Sequence, residues 1–192
     1  EVPGNINFTI NAKANQLHYD KVDYNNLAAT LQIRDEAVIL KNVNLNALGG
    51  SIGLSGLYST KDNKLKPTIS LTYDVKGLDV QQTFSAFNTV QLLMPVGKFI
   101  AGKMNSRLKL NGSLTSDMMP DLSSVTGSGD LLLVEGFLKN FGPMDKLAST
   151  LKIRELENIS LRDVKTYFAV NNGKVLVKPF HVKVNTIDME VG

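Results

Sequence analysis

The 192-residue chain has no cysteine and no tryptophan, only two histidines, and aromatic residues make up 7% of it. Without cysteine there can be no disulfide, no thiol nucleophile and no thiolate metal ligand. A zinc site would have to combine the two histidines with carboxylates, and no HExxH-like spacing exists. His18 and His181 fall at polar-phase or strand-end positions, so both are expected to face water. No window approaches the roughly 18 consecutive apolar residues of a membrane-spanning helix.

Charge of one sign is equally scarce. Lysine and arginine number 21 against 18 acidic residues, a net charge of +3. The densest basic stretch, Lys61–Lys66, is interrupted by Asp62 and Asn63. Nucleic-acid binders concentrate cations in a patch or stripe, so no nucleic-acid partner is expected.

Catalytic motifs are also missing. There is no GxSxG. Gly127-Ser128-Gly129-Asp130 lacks the P-loop lysine and the GxGxxG spacing, and it leads into a strand rather than a helix. Asp35-Glu36 and the Asp188/Glu190 pair fall at a turn and on a wet strand phase, not in a cleft that would tune paired carboxylates. The chain reads as a non-enzyme with no cofactor.

What is abundant is two-residue alternation. Hydrophobic residues make up 43% of the chain, and without tryptophan its core must be mainly Leu, Val and Ile. Ile6, Phe8, Ile10 and Ala12 alternate with Asn5, Asn7, Thr9, Asn11 and Lys13. Ile69, Leu71, Tyr73 and Val75 alternate with Ser70, Thr72, Asp74 and Lys76. The pattern returns at Leu108 and Leu110, at Phe180, Val182 and Val184, and at Ile187, Met189 and Val191. Such strands are half buried and half wet, which points to antiparallel pairing rather than a doubly covered parallel sheet. Turn signals at Asp35-Glu36, Gly49-Gly50, Lys61-Asp62-Asn63 and Asn171-Asn172-Gly173 separate about a dozen strands.

Two segments break the alternation. Residues 79–101 carry apolar side chains at near-helical spacing and are split by Pro95 and Gly97, so a helical insertion is expected there. Residues 143–151, opened by Pro143, read as one more helix. An internal repeat relates residues 31–47 to residues 168–184. Apolar positions coincide at Leu31/Phe168, Ile33/Val170, Leu40/Val177, Val43/Phe180 and Leu45/Val182, and the turns coincide as well. The expected fold is therefore mainly β: a curled, extended antiparallel meander built from repeated units, with two or three short helices packed on its apolar face. Glu1 is not an initiator methionine and alternation runs to the end at Gly192, so residues 1–192 are expected to be a single β-rich fragment of a larger protein.

One-faced strands pose a question of coverage. Other strands, as in a barrel or sandwich, can fill the apolar side, and so can the helices. If neither does, an open apolar trough remains, suited to an acyl chain.

Gly49-Gly50-Ser51-Ile52-Gly53-Leu54-Ser55-Gly56-Leu57-Tyr58-Ser59-Thr60 resembles a glycine-rich segment of the AsmA family. Lys66-Pro67-Thr68-Ile69-Ser70-Leu71, then Gly77-Leu78-Asp79-Val80 and Thr83-Phe84, are similar to the stretch that follows it there. Leu93-Met94-Pro95-Val96, Leu108-Lys109-Leu110-Asn111-Gly112, Met118-Met119-Pro120-Asp121-Leu122 and Val175-Leu176-Val177-Lys178-Pro179-Phe180 continue the likeness in order. It spans roughly residues 27–184. The resemblance implies a periplasmic module of a Gram-negative envelope protein, held in the inner membrane by an anchor in a missing N-terminal part. It also implies a role in outer-membrane biogenesis and kinship with bridge-like lipid-transfer proteins, whose curled sheets carry acyl chains. The expected lining of such a groove is Ile52, Leu54, Ile69, Leu71, Tyr73, Leu108, Leu110, Phe180 and Val182. The alternative expectation is a structural or assembly scaffold that docks other envelope proteins through its sheet edges.

Overall fold

A computed structural model describes residues 1–184 and 187–191; the expected run of the last strand to Gly192 lies outside them. Alternating residues form β1 (Phe8–Tyr19), β2 (Val22–Arg34), β3 (Ala37–Ala47), β4 (Gly50–Ser59) and β5 (Thr68–Asp79), each returning beside its predecessor. The insertion follows as α1 (Val80–Ala86), α2 (Asn88–Leu93) and a 3-10 segment at Pro95–Phe99. Then come β6 (Ile100–Ser113), β7 (Thr126–Lys139), α3 (Gly142–Leu151), β8 (Asn158–Ser160), β9 (Val164–Asn171) and β10 (Lys174–Val177). Strands β11 (Phe180–Val184) and β12 (Ile187–Val191) make a separate hairpin. The main sheet is an unclosed antiparallel meander of ten strands, the fold class that the alternation predicts. Its far end departs from simple order: β8 and β9 share one side of β7, β8 at Phe137–Lys139 and β9 at Thr126–Leu133.

The two related segments pair identically. Leu31 faces Leu40 and Ile33 faces Val38, while Phe168 faces Val177 and Val170 faces Val175. Both hairpins turn on two residues of positive φ, Asp35 and Glu36 at 53° and 57°, Asn172 and Gly173 at 49° and 71°. That geometry matches the twist of the flanking strands. Beyond the turn they diverge. β3 runs on unbroken, whereas Pro179 separates β10 from β11, and the chain leaves the main sheet.

Bulges preserve the apolar face along the longer strands. In β3 the apolar phase jumps from Leu40 to Val43, three residues instead of two. Lys41 and Asn42 together oppose Ser55, and Asn42 takes φ 50°. In β5 it jumps from Val75 to Leu78 past Gly77 at φ 68°, whose N–H donates to the Asn105 side chain at 2.8 Å. Each extra residue restores the phase that alternation would otherwise lose.

The buried core gathers at one end of the apolar face. Val75, Leu78, Met104, Leu133 and Val164 from the sheet meet Val80 of α1, Ala148 of α3, Leu156, Ile159, Leu161 and Val182 of β11. α1 is seated there by Asp79, whose carboxylate accepts from the Gln82 N–H at 2.8 Å as an N-cap.

Glycines on the apolar phase let side chains of neighbouring strands lean across. The Phe168 ring covers Gly129, and a Cβ at that position would come within 2.6 Å of the ring and closer still to the Arg107 carbonyl. Gly53, on the opposite phase, has nothing nearer than 3.6 Å to its own notional Cβ. In denaturant unfolding, Gly129→Ala should cost about 2 to 3 kcal/mol, whereas Gly53→Ala should change stability by less than about 1 kcal/mol.

Candidate functional site: two faces of one sheet

Residues directly opposite in an antiparallel ladder share a face. Following the register from strand to strand therefore identifies rows that cross the sheet. One row runs Ile10, Leu31, Leu40, Gly56, Leu71, Leu110, Gly127, Val170, Val175, one residue from each of nine strands. All nine are apolar or glycine. At about 4.8 Å per strand the row is about 38 Å long. A parallel row runs Phe8, Ile33, Val38, Tyr58, Ile69, Gly112. Another runs Leu54, Tyr73, Leu108, Gly129, Phe168, Val177.

Seven of the nine residues expected to line a groove belong to this face and are neighbours there. Ile69, Leu71, Leu108, Leu110 and Leu54 are half-buried. Ile52 and Tyr73 lie where the open rows meet the core and pack against it. Phe180 and Val182 take a different part. They belong to the β11–β12 hairpin and press on the core from above, with Val182 fully buried, so they form part of the cover.

The Tyr73 hydroxyl lies 3.3 Å from the Ser106 hydroxyl, which in turn donates to the Asp130 carbonyl at 2.8 Å. Burial raises the Tyr73 phenol above the ordinary tyrosine value, the Ser106 contact works against that, and the charge of Asp130 adds to it.

The opposite face mixes charged side chains with apolar ones such as Ala169 and Leu176 and, over β5, β6, β7, β9 and β10, is concave. An open trough of about 830 Å³ occupies it. Two complete rows form its floor: Thr72, Lys109, Ser128, Ala169, Leu176, and Asp74, Arg107, Asp130, Tyr167, followed by Lys178, whose N–H donates to the Tyr167 carbonyl at 2.8 Å. Arg107 bonds Asp130 through Nε and Nη2, each at 3.1 Å. Lys165 and Lys178 approach the Tyr167 ring at 5.3 and 6.0 Å from its centre. The sequence shows Thr72, Asp74 and Lys109 only as the wet phase of their strands. The curvature that turns them into a trough has no signature in alternation.

Both histidines are exposed and beside aspartates, His18 Nδ1 at 2.7 Å from Asp23 and His181 Nδ1 at 3.3 Å from Asp188. Among the described residues no cluster of three or more histidine or acidic side chains is arranged to hold a metal ion. Compared with models of known protein families, with curated proteins and with solved structures, the chain matches none.

Tyr73 gives this face a measurable pH signature. Its folded-state pKa is raised, so its contribution to stability is intact below the unfolded value of about 10 and declines as pH climbs past it. Tyr73→Phe should flatten that alkaline decline in urea titrations at a series of pH values, and should cost no more than about 1 kcal/mol at neutral pH.

Proposed function

We propose that this chain is a non-enzymatic, lipid-handling module whose uncapped apolar rows hold acyl chains. In this reading it works in the periplasm as part of an AsmA-like, membrane-anchored envelope protein and serves outer-membrane biogenesis. The observation that carries the reading is the continuous apolar row from Ile10 to Val175. Its members on β2 to β6 are only partly buried, while the helices and the β11–β12 hairpin gather over the other end of the face. A row of about 38 Å compares with about 15 Å for one leaflet of a bilayer's hydrocarbon core, so two chains fit end to end. The row offers no polar anchor, which suits a ligand recognised by shape and hydrophobicity. The resemblance to AsmA proteins in the glycine-rich β4 segment and the strands after it supports the periplasmic part of the reading.

Native mass spectrometry of protein purified without harsh detergent should show retained phospholipid or fatty acid. Leu71→Arg combined with Leu110→Arg should remove that lipid and cost no more than about 2 kcal/mol of stability, because both side chains are only partly buried. Lys109→Glu, on the opposite face, should leave retention unchanged. A wild-type protein free of lipid, or a double variant that still carries it, would count against the reading.

A further inference from the structure

The trough on the face opposite the apolar rows is a second place where a molecule can sit. Its volume of about 830 Å³ falls within the range of roughly 300 to 1,000 Å³ for pockets that hold small organic molecules. Its floor is not uniform. On β5, β6 and β7 it presents Thr72, Asp74, Lys109, Ser128 and the bonded Arg107 and Asp130. On β9 and β10 it presents Ala169, Tyr167 and Leu176, the last two 49% and 62% exposed. Ala169 faces Leu176 across these two strands, so the apolar patch is two strands wide, about 10 Å.

Charge is distributed unevenly as well. Arg107, Lys109 and Lys178 line the trough, and Lys165 stands beside it against the Tyr167 ring. Two carboxylates of the lining, Asp74 and Asp130, set against these four cations leave an excess of positive charge. Asp130 is already engaged by Arg107 through two nitrogens. Lys109 and Lys178 form no ion pair among the described residues. The site therefore joins an exposed apolar patch to two cations that have no carboxylate partner of their own.

We propose that the trough binds a compact organic anion, a ring system lying on Ala169 and Leu176 whose carboxylate, sulfonate or phosphate is drawn to Lys109 and Lys178. Lys109 shares the row of Ala169 and Leu176, separated from them by Ser128, and Lys178 follows β10 in the next row, so the two ammonium groups border the patch. An acyl chain is a poor match, because a length of about 15 Å overruns the patch. The assignment does not rest on what the apolar rows hold. The two ligands occupy opposite faces of one sheet and bind independently.

Anilinonaphthalene sulfonate, which carries two aromatic groups and one sulfonate, is the probe. Phenylnaphthylamine, the same rings without the sulfonate, is its neutral control. Fluorescence titration of the full chain should show the anion bound, more weakly as salt is raised. Nuclear Overhauser contacts should run from its rings to the methyl groups of Ala169 and Leu176. Lys109→Gln combined with Lys178→Gln should weaken the anion about tenfold. Both lysines are exposed, so the same variant should keep the melting temperature, the affinity for the neutral dye and any retained phospholipid unchanged. A wild-type chain that does not bind the anion, ring contacts confined to the methyl groups of Leu71 and Leu110, a double variant of unaltered affinity, or one that loses the neutral dye or phospholipid equally would overturn the proposal.

Discussion

Which face a side chain occupies in this protein is decided by hydrogen-bond register, and the rest of the structure depends on that register holding across ten strands. The side-chain period along a strand is two, so one uncorrected extra residue would turn every later apolar side chain to the wet side. Four strands carry such an extra residue: β2, β3, β5 and β7. In β3 and β5 the bulges at Asn42 and Gly77 absorb it, so Val43 and Leu78 beyond them stay on the same side as Leu40 and Val75 before them. The core, the open apolar rows and the trough on the opposite face are all consequences of the same phase being kept.

The two faces are consequently distinct in chemistry. One is Leu, Val, Ile, Phe and glycine; the other carries Lys109, Arg107, Asp74 and Asp130. Ser106 is an instructive exception. It is buried within the apolar face, and it remains there because its hydroxyl is bonded to the Asp130 carbonyl and lies near Tyr73. The covering elements close only part of the apolar face, which leaves a sheet that is half core and half surface.

Much of this was legible from residue order. Alternation located β1, β5 and β6, the turn residues located the hairpins at Asp35-Glu36 and Asn172-Gly173, and Pro143 marked the first turn of α3. What alternation could not convey was the destination of a strand. Phe180 and Val182 alternate with polar residues as faithfully as Leu108 and Leu110 do. Yet Pro179 sends them out of the main sheet to lie over the core, and a lid strand and a floor strand read alike. Curvature was hidden for a related reason. It arises from twist and bulges summed over many strands, so Thr72, Asp74 and Tyr167 carry no mark of the trough they share.

The meander order has a consequence for how the molecule is made. From β1 to β7 each strand bonds to the one before it in the chain, so the contacts that build this part of the sheet are close in sequence. A strand can dock as soon as its predecessor is in place, without waiting for a distant segment to arrive. Assembly can therefore keep pace with a chain that emerges from one end, and the last pieces to be added, the β11–β12 hairpin among them, are those that close the cover over the core.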